Sequence, residues 1–129
     1  MKISAKEIEE VSKLKPIQRY HYFIKRVADN EKMYSLVDRQ GYFALANIND
    51  NVLFSVWTAP EFALSSAIDK WKEFEVKEII LEEFEDHIID EIEKNNWLMN
   101  VFSIGSKSGF VVSLNEFARD LNEEMKKYH

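Results

Sequence analysis

The chain has no cysteine, and only three glycines and two prolines among its 129 residues. It also has no run of the roughly 20 apolar residues that a membrane-spanning helix needs. Each scarcity excludes something. Without cysteine there are no disulfides, no thiolate zinc sites and no thiol nucleophile, which fits a reducing compartment. With so few breakers there is no room for a flexible linker, so residues 1–129 are expected to form a single globular domain. The opening "MKISAKEIEEVSKLK" is interrupted by Glu7, Glu9 and Glu10 and lacks the apolar centre of a signal peptide. No membrane association and a cytoplasmic location are the expectation.

What is present is ordinary globular material: 46% hydrophobic, 31% charged and 13% aromatic. The net charge is −6, unevenly placed. Glu73 to Glu93 hold ten acidic residues against one lysine, a local −9, so the remainder sums to +3. Nucleic-acid phosphates would repel a net acidic chain. A basic protein partner is the better match, although a solvated helix face accounts for the same count.

Local pattern divides the chain. Three S/T-x-x-E stretches, Ser4–Glu7, Thr58–Glu61 and Ser113–Glu116, read as capping boxes that start helices, each glutamate reaching back to its cap. Another helix starts near Pro16, faces inward with Tyr20, Phe23, Ile24 and Val27, and ends at Asn30. From Met33 to Trp57 the period shortens to that of strands, and "MYSLV", "YFALAN" and "VLFSVW" form a three-strand meander. A helix from Ala59 to about Lys72, the strand "VKEIIL" and the amphipathic helix "EEFEDHIIDEIEKNN" follow. A hairpin of "WLMNVFSI" and "GFVV" precedes a last helix with Leu114, Phe117, Ala118, Leu121 and Met125 on one stripe. The expected class is α+β: a five- to six-stranded, mostly antiparallel sheet packed with four to five helices.

Candidate sites are few. Trp57, Thr58 and Glu61 sit where a strand becomes a helix, with Trp71 closing the segment. A helix start offers free amides to an anion. A capping Thr58, a first-turn Pro60 and a core Trp57 account for the same residues structurally. Gly105-Ser106-Lys107-Ser108-Gly109 has neither the P-loop spacing nor a serine where a nucleophile elbow needs one, so it reads as a hairpin turn. Glu83, His87 and Glu91 follow at i+4 steps, but with no second histidine nearby the assignment is solvated charge, no metal and no cofactor. His21 lies between two tyrosines and His129 ends the chain. Lys13, Lys15, Arg19, Lys25 and Arg26 beside Tyr20 and Tyr22 suggest nucleic acid, yet no known module has this order of elements, so none is assigned. The strongest surface feature is the acidic helix, whose Glu82, Glu83, Asp86, Asp90 and Glu93 point away from Phe84, Ile88 and Ile92. No catalytic residues are assigned, and self-association through a sheet edge stays open.

Four stretches, "RYHYFIKRVADNEKMYSLVD" (Arg19–Asp38), Gly41–Leu45, "LFSVWTAPEFALSSAIDKW" (Leu53–Trp71) and "VFSIGSKSGFVVSLNEFARDL" (Val101–Leu121), resemble the family catalogued as domain of unknown function 2750. The resemblance runs from about Ile17 to Leu121 and leaves residues 1–15, the leading helix, outside it. It implies a bacterial, cytoplasmic, free-standing domain and carries no activity, substrate or catalytic residue. The first functional expectation is therefore a non-enzymatic protein-binding domain with an acidic or aromatic surface, in one version an immunity or antitoxin-like inhibitor of a basic partner. The second is a small-molecule binding domain or enzyme, with its site near Trp57, Thr58, Glu61 and Trp71.

Overall fold

A computed structural model describes residues 3–105 and 107–128. Ser106 and His129, both named above, lie outside the described residues. Helix α1 (Ala5–Ser12) is capped by Ser4, whose Oγ accepts the Glu7 amide at 3.1 Å. Helix α2 (Pro16–Asn30) starts on a proline at its first position and stops where Glu31 turns left-handed, φ 58°. Its apolar stripe, Tyr20, Phe23, Ile24, Val27 and Ala28, is buried. Strands β1 (Lys32–Val37), β2 (Leu45–Ile48) and β3 (Asn51–Val56) follow, β2 and β3 joined by a tight hairpin through Asn49 and Asp50.

The class is α+β, but the strands divide into two sheets rather than one. The larger has the order β2-β3-β5-β6, with β5 (Leu98–Val101) and β6 (Phe110–Val112) forming the expected hairpin. The smaller pairs β1 antiparallel with β4 (Glu75–Ile80), Tyr34 opposite Glu78. The meander is broken because β1 does not ladder along β2. It crosses the open end of the β2–β3 hairpin, bonding to Trp57 through Tyr34 and to Ala44 through Leu36. Strands β3 and β5 are parallel, Phe54 opposite Met99, because a crossover of helices and β4 separates them. Leu53, Phe54, Ser55, Val56 and Trp57 are all buried, so both faces of β3 are covered.

The expected helix from Ala59 to Lys72 is shorter. Helix α3 runs only from Pro60 to Ser65, and a single 3-10 turn, Asp69–Trp71, follows. The acidic helix is not uniform either. Between α4 (Leu81–Glu83) and α5 (Ile89–Asn95), residues Phe84–Ile88 form a π-helical turn. Its inward side chains, Phe84, Ile88 and Ile92, are buried as the pattern required. Helix α6 (Leu114–Met125) is capped by Ser113, whose Oγ accepts the Glu116 amide at 3.2 Å. Phe117 locks it in, with ring centroids 5.8 Å from both Phe23 on α2 and Phe84. Among the described residues no helix is long and apolar enough to cross a membrane.

Two polar devices hold the β5–β6 end. Arg19, 3% exposed, spends its guanidinium on three carbonyls: Phe102 at 2.9 Å, Leu14 at 2.5 Å and Ser108 at 3.1 Å. Phe102 is held left-handed at φ 68°, a backbone state that costs a non-glycine residue about 1–2 kcal/mol. Its carbonyl reaches Arg19 and its amide reaches Val56 at 3.0 Å, so two hydrogen bonds offset that strain. Asn100 bridges Ser55 Oγ, at 3.0 Å, to the Gly109 amide.

Candidate functional site

Where α1, the flank of α2, the start of β1 and the Thr58–Pro60 segment meet, they enclose a cleft of about 290 Å³. Helix geometry explains the first wall. Tyr22, Arg26 and Asp29 are spaced i, i+4 and i+7, a stripe beside the buried one on α2. Strand geometry explains the second: Lys32 and Tyr34, two apart on β1, project to the same side. Glu7 on α1 and Ile3, just before its cap, close the cleft.

Most polar groups of the cleft already have partners. Tyr22 donates its phenolic hydrogen to Glu7. Tyr34 donates to Glu78 at 3.0 Å, and Lys32 lies 3.5 Å from the same carboxylate. These contacts shift the phenols. Burial first, then the Glu7 hydrogen bond, pushes Tyr22 up to about 12. Burial and Glu78 raise Tyr34, with a smaller push from Glu61. Three groups are left over. Arg26 lies over the Tyr22 ring, 5.9 Å from its centroid, and neither it nor Asp29 forms an ion pair among the described residues. Thr58 Oγ1 is buried with no hydrogen-bond partner of normal geometry. It lies close enough to the Tyr22 phenol to oppose its upward shift weakly.

Thr58 also corrects the capping expectation. Pro60 occupies the first helical position and forces the preceding residue into an extended conformation. The cap is therefore Ala59, φ −153° and ψ 153°, which has no side chain to cap with. Thr58 is one residue too early, and it lines the cleft instead. A related correction applies at α1, where the Glu7 carboxylate goes to Tyr22 rather than completing a reciprocal box.

The other expected ligand-site residues separate. Trp57 is fully buried, its indole donating to Ser103 O at 2.7 Å, so it is core. Trp71 is partly buried under Lys70, whose ammonium is 5.6 Å from the ring, and does not line the cleft. Glu61 acts on the cleft only through its charge on Tyr34. Thr58 is the one member of that set in the wall. Sequence reasoning missed the rest, although Tyr22 and Arg26 were noticed as part of a basic, aromatic helix.

On the acidic helix, Glu82, Asp86, Asp90 and Glu93 are exposed, while Glu83 is partly buried and lies 3.6 Å from Lys77 Nζ. The π turn disturbs the i+4 ladder of Glu83, His87 and Glu91. Among the described residues no three His, Asp or Glu side chains stand close enough to hold a metal. Ile104 and Lys107 exchange backbone hydrogen bonds of 3.1 and 2.8 Å, as the flanks of a hairpin turn do.

No curated protein matches the chain. Residues 20–121 match the family described as a protein of unknown function (DUF2750), and the chain belongs to that family.

Proposed function

We propose that this protein is a binding domain for a small polar molecule, held in the cleft between α1, α2, β1 and Thr58. The observation that carries this reading is the set of unspent groups converging there: a guanidinium, a carboxylate and a buried hydroxyl without a partner. Native structures leave few buried polar groups unsatisfied, because each costs about 1–3 kcal/mol. A ligand that bonds the Thr58 hydroxyl recovers that cost, while Arg26 and Asp29, both exposed, offer it charge. The volume lies at the lower end of known ligand sites, roughly 300–1,000 Å³, which favours a small molecule over a nucleotide or a long peptide. The Tyr22–Glu7 pair in the wall has its phenol pushed up rather than activated, so binding rather than catalysis is the reading.

The test is a thermal-shift screen of charged and neutral metabolites on the intact chain and on Arg26→Ala. A ligand at about one hundred times its dissociation constant adds roughly 2.7 kcal/mol of stability. At least one compound is expected to raise the midpoint by several degrees in the wild type and to lose that effect in Arg26→Ala. A screen in which every shift survives the substitution would remove the cleft from consideration.

A second reading is a basic protein partner on the acidic helix. What favours it is the surplus of charge: Glu82, Asp86, Asp90 and Glu93 are exposed and have no ion pair among the described residues. Its test is capture from lysate at low and high salt, with those four changed to glutamine. Retention of the same partner by the quadruple variant would rule it out.

A further inference from the structure

We infer that α1 is an autoinhibitory latch: its Glu7 carboxylate occupies the place that the carboxylate of a small free ligand takes when the cleft is filled. This inference rests on reading the cleft as a ligand site, and it adds the ligand's chemistry and how entry is controlled.

Four observations converge. The Glu7 carboxylate already sits on the Tyr22 phenol, and Arg26, whose guanidinium lies over the same ring, and Thr58 line the same cleft, so a carboxylate is held among donors now. The closed arrangement leaves Thr58 Oγ1 covered and unpartnered, an imperfection that opening relieves. Helix α1 is lightly attached, since Val11 is its one fully buried side chain. Its far end is firmly hinged, because the Leu14 carbonyl, just beyond the helix, is clamped by buried Arg19. The latch lies before residue 20, outside the segment matched by the family.

A carboxylate is favoured over a phosphate by charge. Lys32 is committed to Glu78, leaving Arg26 as the one lining cation without an ion pair among the described residues, while Asp29 would repel a dianion. One guanidinium, one phenol and one hydroxyl match the two oxygens of a monoanionic carboxyl group.

Wild type, Glu7→Ala and Arg26→Ala full-length chains would be titrated with acetate, lactate and, separately, inorganic phosphate at constant ionic strength. Binding is read from the amide resonances of Tyr22, Thr58 and Ala59, and latch opening from hydrogen exchange of the α1 amides. Alanine is the best helix former, so Glu7→Ala is expected to keep α1 intact, and circular dichroism checks this. Removing the internal competitor should tighten acetate or lactate binding about tenfold, the factor that one charge-assisted hydrogen bond represents. Arg26→Ala should abolish it, and the carboxylate should speed α1 exchange in the wild type. If Glu7→Ala binds no tighter than wild type while binding still needs Arg26, the latch is wrong and the ligand cleft stands. Phosphate binding more tightly than both carboxylates overturns the ligand class. If no anion binds through Arg26 in either background, both the latch and the proposed function fall.

Discussion

Thr58 shows how one position can serve stability poorly and binding well. Its hydroxyl is buried beside Tyr22 without a partner, while its β-branched shape suits the extended backbone that leads into Pro60. Thr58→Val keeps the shape and replaces the orphaned hydroxyl by a methyl group. The variant should gain about 1 kcal/mol, because an unsatisfied buried donor costs that much or more. Urea unfolding monitored by tryptophan fluorescence measures it, and an unchanged or lower midpoint would show that the hydroxyl is satisfied after all. The same variant should bind carboxylates more weakly than wild type. Arg19 is the opposite case. It is more deeply buried yet fully engaged with three carbonyls, and burial pulls its pKa down from the ordinary arginine value. Arg19→Met should cost about 3 kcal/mol, since the lost bonds are charge-assisted and the carbonyls are left behind.

Among the elements, those whose signals are local were readable and those set by distant partners were not. Ser4 and Ser113 cap helices as their spacing required; the α2 stripe is buried residue for residue, while on α6 Leu114, Phe117 and Leu121 are buried and Ala118 and Met125 only partly so. The division into two sheets was not readable, because hydrogen-bonding of β1 to Trp57 and Ala44 depends on how the chain returns, and periodicity within β1 carries no record of that. The parallel β3–β5 pair and the π turn were hidden for the same reason. Of the cleft, Tyr22 and Arg26 stood out only as part of a basic, aromatic helix; neither Asp29 on the same stripe nor the closing of α1 and β1 upon it was readable. Gly109 illustrates a constraint that only the fold reveals. A Cβ there would come 2.4 Å from the Val101 carbonyl oxygen, so Gly109→Ala must shift the backbone that joins β5 to β6. A loss of at least 2 kcal/mol is expected, the upper range for overpacking in a tight site. Amide exchange confined to β5, β6 and the turn between them would locate the damage, whereas uniform loss across the sheet would argue for a different cause.

For the whole molecule, the titration of its tyrosines predicts how stability ends at high pH. Tyr20 is raised by burial and by its 2.6 Å hydrogen bond to Asp120, which ties α2 to α6. Tyr22 is raised to about 12 by burial and Glu7, and Tyr34 is raised by burial and Glu78. Each phenol is harder to ionise folded than unfolded. Their contribution is therefore complete below the unfolded value, about 10, and is lost as pH rises through the folded one. For Tyr22 that window runs from about 10 to about 12. Each tyrosine that ionises only when unfolded removes up to about 1.4 kcal/mol per pH unit, and a partly exposed phenol removes less. Urea unfolding at pH 8, 9, 10 and 11 should show a nearly flat region followed by a steep fall that begins close to pH 10. Tyr20→Phe should be less stable at pH 8, having lost the Asp120 bond, yet it should fall less steeply above pH 10. If its alkaline slope equals that of the wild type, the α2–α6 tie is not what fails, and the alkaline limit must come from ionisation elsewhere in the chain.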